Sequence, residues 1–335
     1  MFSDLMKPTL PHRVLLSGLV FLFSTSLGAQ TPWVWNGQPW ADNRPFMSPI
    51  TAEIKAHLQG VLAAGVVEER VVGRMGQFGD SITHSSAFFR NTLLVGPDNN
   101  ETGHNSAMIR SWLAYSGDQP ADANSFYRDY GKDVPYGNFG GWTIEDAVGA
   151  GHPFVAVDVG DEMVPGEFSW ALIMFGTNDI DDPGWEASIW AQDLAAFVQD
   201  CEDLGVIPVL STIPPEVAHL GDGRVEEANQ QIRELASNLD LPLVDYYRLI
   251  LHHQPDNWHG TLISPDGTHP SAGGGGNDFS QDGLTTSDGY AARTKLALDM
   301  AEKVMAIVFD DGEPEPLFYD DFESGHLGSW TLPEG

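Results

Sequence analysis

Cysteine is almost missing from this 335-residue chain: Cys201 stands alone, so no intramolecular disulfide can form. Stability must therefore come from a buried core, and residues 33–309 are ample for one. Cys201 itself falls on the stripe Ile189, Trp190, Leu194, Phe197, Val198, Cys201, Leu204, which has helical spacing and marks it as a buried structural thiol. Basic residues are also scarce. Sixteen Lys and Arg face 48 Asp and Glu, for a formal charge of −32. Such a field repels phosphate backbones and anionic bilayers, which excludes nucleic acid as an expected partner. Long apolar runs are the third absence. The longest, residues 14–27, falls short of the ~20 residues a bilayer span needs. No HExxH or other compact ligand pattern unites His84, His104, His152, His219, His252, His253 and His259, and Asp179, Asp181 and Asp182 lack EF-hand spacing. No metal and no cofactor are expected.

The short apolar run follows the basic residues Lys7, His12 and Arg13 and ends in Ser26-Leu27-Gly28-Ala29. That layout predicts a signal peptide over residues 1–29, cleaved before Gln30, and a secreted protein, extracellular or periplasmic, without stable membrane insertion. Residues 30–309 form the expected catalytic domain. Residues 310–316, Asp-Asp-Gly-Glu-Pro-Glu-Pro, read as an acidic linker. Residues 317–335 turn aromatic again and are either a tail or the opening of a truncated β-sandwich module.

Within the main domain, strand-like runs alternate with helical stretches. Residues 71–78, 168–175, 205–212 and 241–245 read as strands, and 186–204, 224–239 and 290–309 as helices with apolar residues at i, i+3, i+4 spacing. Repeated strand-then-helix order implies a parallel sheet covered on both faces, a three-layer α/β/α sandwich. Ligands of such sheets bind beyond the carboxyl ends of the strands. Two long polar segments depart from the alternation. Residues 91–140 are expected to include a helix near 106–116, and residues 271–289 are expected to form a glycine-rich loop at the rim of the site.

Three short motifs carry the chemistry. Gly79-Asp80-Ser81 ends the first strand run, Gly176-Thr177-Asn178-Asp179 ends the second, and Asp266-Gly267-Thr268-His269 lies near the C-terminal end. A serine hydroxyl becomes a competent nucleophile when a neutral imidazole takes its proton. Asp266 and His269 stand at i and i+3, so one turn of backbone lets the carboxylate reach Nδ1 and leaves Nε2 for Ser81. Glycine N–H and asparagine amide groups are fixed neutral donors, suited to an oxygen that becomes negative only in a tetrahedral intermediate. Asp80 reads as a loop-structuring residue.

These motifs resemble the GDSL family of hydrolases, also called SGNH hydrolases, over residues 70–309. The resemblance implies the flavodoxin-like fold of that family, with Ser81 as nucleophile, His269 as base and Asp266 orienting the ring. It also implies an oxyanion hole from the Ser81 N–H, a glycine N–H and the Asn178 amide. Gly141, two residues before Thr143, fits the glycine position better than Gly140 or Gly137. The implied activity is hydrolysis of carboxylic esters through an acyl-enzyme, with a short acyl group such as acetyl on a carbohydrate as the leading substrate. A small-molecule or carbohydrate ester is thus the expected partner; oligomeric state is left open. Alternatives are a lipase, arylesterase or thioesterase with the same triad, or a non-catalytic carbohydrate-binding protein. Trp142, Trp185, Trp258 and His259 are available to line a sugar cleft, or equally to fill the core or its rim.

Overall fold

The computed structural model describes residues 46–67, 75–85, 87–89, 138–149, 169–273, 275 and 278–314. The chain divides into Met1–Thr31 and Pro32–Gly335, and every described residue belongs to the second unit. The expected signal peptide, the helix near 106–116 and the segment 317–335 lie outside the described residues.

Four strands form a parallel sheet in the order β1-β2-β3-β4: Met75–Gly79, Trp170–Met174, Ile207–Ser211 and Leu243–Val244. Every residue of these strands is buried. Burial on both pleat faces requires cover on both sides, and this is why the strands read as near-continuous apolar runs such as Trp-Ala-Leu-Ile-Met. The helices are α1 (Ala52–Val67), α2 (Ser81–His84), α3 (Ile144–Gly149), α4 (Ala187–Asp203), α5 (Arg224–Asn238), α6 (Tyr246–His253) and α7 (Gly289–Val304). Helix α4 links β2 to β3 and α5 links β3 to β4. The two pack together, as right-handed crossovers stepping in one direction require.

One core runs through the sheet and its helices. Phe197 of α4 meets Phe78 of β1 and Phe175, just past β2, edge to face, with centroids 5.4 and 5.7 Å apart. Cys201 lies fully buried on the expected stripe. Arg233 of α5 is buried too, and its Nε and Nη2 donate to the Asp245 carboxylate at 2.8 and 2.9 Å. Asp245 also accepts from the Thr212 hydroxyl and caps α6 through the Arg248 N–H.

The expected strands and helices appear within a few residues of their sequence boundaries. Helices α1, α3 and α6 were not foreseen: the exposed Ala56, Ala63 and Ala64 blur the buried stripe Ile54, Leu58 and Val61 of α1, and α3 and α6 are short runs. The segment 271–289 is also less loop-like than its glycines suggest: Gly283–Ser287 forms a π-helical turn leading into α7, whose N-terminus Asp288 caps through the Ala291 N–H. The first acidic residues after α7 fold back onto α1. Lys55 Nζ lies 2.7 Å from Asp311 and donates to the Gly312 carbonyl at 2.8 Å.

Candidate active site

The ends of β1 and β2 are adjacent, with Gly79 in register with Met174. A side chain at Gly79 would place its Cβ 2.5 Å from the Met174 carbonyl oxygen, so only glycine permits this approach. Asp80 then turns strand into helix. Its Oδ1 accepts from the Ile82 N–H at 2.9 Å, so this residue, read in sequence as structuring the loop, caps α2 and sets Ser81 at its first position. The other end of α2 is held by Arg293 of α7, which donates to the Ile82 carbonyl (3.1 Å) and the Thr83 hydroxyl (3.0 Å). Its guanidinium lies 3.8 Å from the Phe88 ring centroid.

His269 arrives from the loop between α6 and α7. Its Nε2 lies 2.8 Å from Ser81 Oγ, and its Nδ1 lies 2.9 Å from Asp266 Oδ2. With a carboxylate at Nδ1, that nitrogen carries the proton and Nε2 accepts from the serine. Asp266 Oδ1 accepts from the Ser264 hydroxyl (2.6 Å) and from the Thr268 and His269 N–H groups (both 3.0 Å). Partial burial works upward on this carboxyl, but those hydrogen bonds outweigh it and hold Asp266 well below the usual carboxylate range. The pair is accessible, with side-chain exposures of 39% for His269 and 52% for Asp266, so a substrate can reach the ring.

Asn178 begins the 3-10 turn Asp179–Asp181 after β2. One hydrogen of its amide goes to the Trp142 carbonyl at 2.9 Å, which fixes the amide plane and leaves the second hydrogen for another acceptor. Trp142 closes the turn Phe139-Gly140-Gly141-Trp142 through its N–H to the Phe139 carbonyl. That turn is stitched to β1: Phe139 N–H donates to the Gly79 carbonyl at 3.2 Å, and Asn138 Nδ2 to the Gln77 carbonyl at 2.9 Å. A Cβ on Gly140 would lie 4.0 Å from Ser81 Cβ, whereas Gly141, at φ +81°, faces open space.

The structure links Ser81, His269 and Asp266 by hydrogen bonds and ties Asn178 to the turn that holds Gly141, and the sequence passed over several residues that hold these elements. Asn138, Arg293, His219 and Glu216 carry no motif. The acidic turn after Asn178 is not fully solvated. Asp179 is buried, accepts from the Ile144 N–H at 2.8 Å, and is pushed up to about 7 by burial and by the nearby Asp80. Burial raises Asp80 as well, against the Ile82 N–H and the charge of Arg293. Of the tryptophans, Trp258 is buried and Trp142 and Trp185 are partly buried against the core. Among the described residues no group of three or more His, Cys, Asp or Glu is arranged to hold a metal ion.

A parallel α/β sheet with a serine just past a strand end, hydrogen-bonded to a histidine and aspartate from a loop, is an arrangement found in serine hydrolases as a class. The model of the GDSL-like lipase/acylhydrolase family matches residues 78–276, more than half of the chain. The chain belongs to that family and is a carboxylic ester hydrolase. No curated protein matches it. Among solved structures it is similar to a lipase/acylhydrolase from Enterococcus faecalis, at 16% identity and TM-score 0.40 over 72% of this chain and 98% of that one. It is also similar to a variant of the acetyl xylan esterase Axe2 from Geobacillus stearothermophilus, at 15% identity and TM-score 0.44 over 70% and 96%. A third is a GDSL-like lipase from Bacteroides thetaiotaomicron, at 15% identity and TM-score 0.39 over 75% and 99%. Membership rests on the family model.

Proposed function

We propose that the chain is a secreted serine esterase acting on short acyl groups, with acetylated carbohydrate as its substrate class. Ser81 attacks the ester carbonyl while His269 takes its proton, and Asp266 holds the imidazole in the required tautomer and stabilises the imidazolium. The N–H groups of Ser81 and Gly141 and the free hydrogen of the Asn178 amide receive the oxyanion. His269 then protonates the leaving alcohol, and water activated by the same ring releases the acid.

The observation that carries this assignment is the unbroken series Asp266–His269–Ser81, at 2.9 and 2.8 Å, beside an anchored amide. The low-lying Asp266 is ionised wherever His269 acts as base, as the mechanism needs. Carbohydrate is favoured by the rim of the site. Phe139 is 42% exposed next to Gly140, with its ring tilted against His84 and Trp142, and such a surface suits the apolar face of a sugar ring. Secretion rests on the N-terminal sequence pattern.

The test is hydrolysis of p-nitrophenyl acetate, butyrate and octanoate by the chain from Gln30 onward, beside Ser81→Ala. Acetate turnover that falls at least ~10⁴-fold in the variant is the expected result. Equal rates in both proteins would remove Ser81 as nucleophile, and rates rising with acyl length would replace the short-acyl assignment with a lipase.

A further inference from the structure

Asn178 and His269 sit on different loops, and one segment touches both. Residues 216–224 follow β3 and include the 3-10 turn Val217–His219. Toward the His269 loop, the buried Glu216 accepts from the Thr268 hydroxyl at 2.6 Å, and the Val217 N–H donates to the Gly267 carbonyl at 2.9 Å. Gly267 has φ +84°, and a Cβ there would lie 2.7 Å from Val217 Cβ, so the two backbones are in direct apposition. Toward the Asn178 turn, Arg224 Nη1 donates to the carbonyls of Ile180 (2.5 Å) and Asp182 (2.7 Å).

His219 is the centre of this segment. Its Nδ1 lies 2.8 Å from Asp222 Oδ2 and its Nε2 lies 3.0 Å from Asp181 Oδ1, with the ring 8% exposed. A neutral imidazole has one N–H, so it would donate to one carboxylate and turn a lone pair toward the other. Only the doubly protonated ring satisfies both. The charged groups around it are Asp181 on the Asn178 turn, Asp222 and Glu216 on its own segment, and Arg224, whose guanidinium is drawn off to the two carbonyls. Burial pushes the ring down, but the hydrogen bonds to Asp222 and Asp181 and the charges of Asp222 and Glu216 outweigh it and raise it above its ordinary value.

We propose that His219 is an imidazolium pin that positions Asn178, and that residues 216–224 brace the Asn178 turn and the His269 loop as one unit. The proposal rests on the assignment of Asn178 as an oxyanion donor. A three-residue 3-10 turn is weak by itself, so its geometry depends on what grips its end. His219 and Arg224 supply that grip. Because the folded protein favours the charged ring, the clamp is fully present below the ordinary histidine value. It is lost as pH rises through the raised folded value.

The test is an NMR titration of the imidazole C–H signals of the wild-type chain, with the His219→Gln variant identifying the resonance among eleven histidines. It is paired with kcat and KM for p-nitrophenyl acetate between pH 6 and 9. The expected midpoint lies above the ordinary ~6.5, and Asp222→Asn lowers it. Wild-type kcat falls through that midpoint with KM nearly constant. The His219→Gln variant is about tenfold slower at pH 6 and shows no such fall, a part of the ~10²–10³ that losing an oxyanion donor costs. A midpoint at or below 6.5, or a folded His219→Gln variant with wild-type kcat, would overturn the proposal. The titration needs no substrate and no variant beyond its assignment, so it tests the pin even if Ser81 is not the nucleophile.

Discussion

Two carboxylates in this molecule are each held by a basic side chain, and they are held in opposite ways. Asp245 is buried, gripped by two nitrogens of the fully buried Arg233. Burial pushes its carboxyl up, and the adjoining guanidinium charge pulls it below the ordinary value. Asp266 lies at the surface and is fixed mainly by neutral donors, Ser264 Oγ–H and two backbone N–H groups. Its histidine partner is one contact among four. The interior pair joins α5 to β4 and α6 through a guanidinium, whose delocalised charge and two-pronged geometry suit a fixed link. His269 can change charge, so its carboxylate must be secured by groups that do not titrate. The buried carboxylate leans on a charge, and the exposed one leans on dipoles.

The sharpest way to break this contrast is Asp266→Asn. The amide presents N–H toward Nδ1 and favours the wrong tautomer, so kcat should drop by up to about 10⁴-fold while thermal stability barely changes. Unaltered kcat would leave Asp266 with no role in orienting the ring. The reciprocal variant, Asp245→Ala, removes the carboxylate that two nitrogens of the buried Arg233 contact and should cost about 3–5 kcal/mol in chemical denaturation. Its activity per folded molecule should be preserved, and a loss below about 1 kcal/mol would show that water reaches the guanidinium. The smallest expected effect concerns Asp179. Its folded value, pushed up to about 7, exceeds the unfolded one, so the native state keeps a proton that the unfolded chain releases. Stability therefore declines as pH rises from about 4 to 7. Asp179→Asn keeps an oxygen for the Ile144 N–H and abolishes that decline, so its melting temperature relative to wild type should increase between pH 5 and 8. An offset independent of pH would place the ionisation elsewhere.

Much of the fold was legible because buried parallel strands are apolar on both faces and α4 and α5 carry regular apolar stripes. The triad motifs were legible because they occupy strand ends and a tight loop, where few residue types serve. Helix α1 escaped because alanines on its exposed side blur the contrast with the buried Ile54, Leu58 and Val61. Glu216, His219 and Arg293 escaped for a different reason. Each acts on residues far away in sequence, across 52 positions for Glu216 and Thr268 and 211 for Arg293 and Ile82. Local pattern carries no trace of a partner that distant. The choice between Gly140 and Gly141 was open in sequence because both fit a two-glycine turn. The structure distinguishes them by backbone conformation, Gly141 having φ +81°, and by where a side chain would point.

The reach of Arg293 across the domain bears on when this enzyme becomes active. Helix α7 is the last long helix described, yet it steadies the turn that carries Ser81 through Ile82 and Thr83, and its Thr294 hydroxyl accepts from the Phe89 N–H at 3.1 Å. Ser81 and His269 are themselves 188 residues apart. Such non-local closure comes late in folding. A nascent chain should thus gain activity only once α7 docks, so that the first turnover would report closure of the domain.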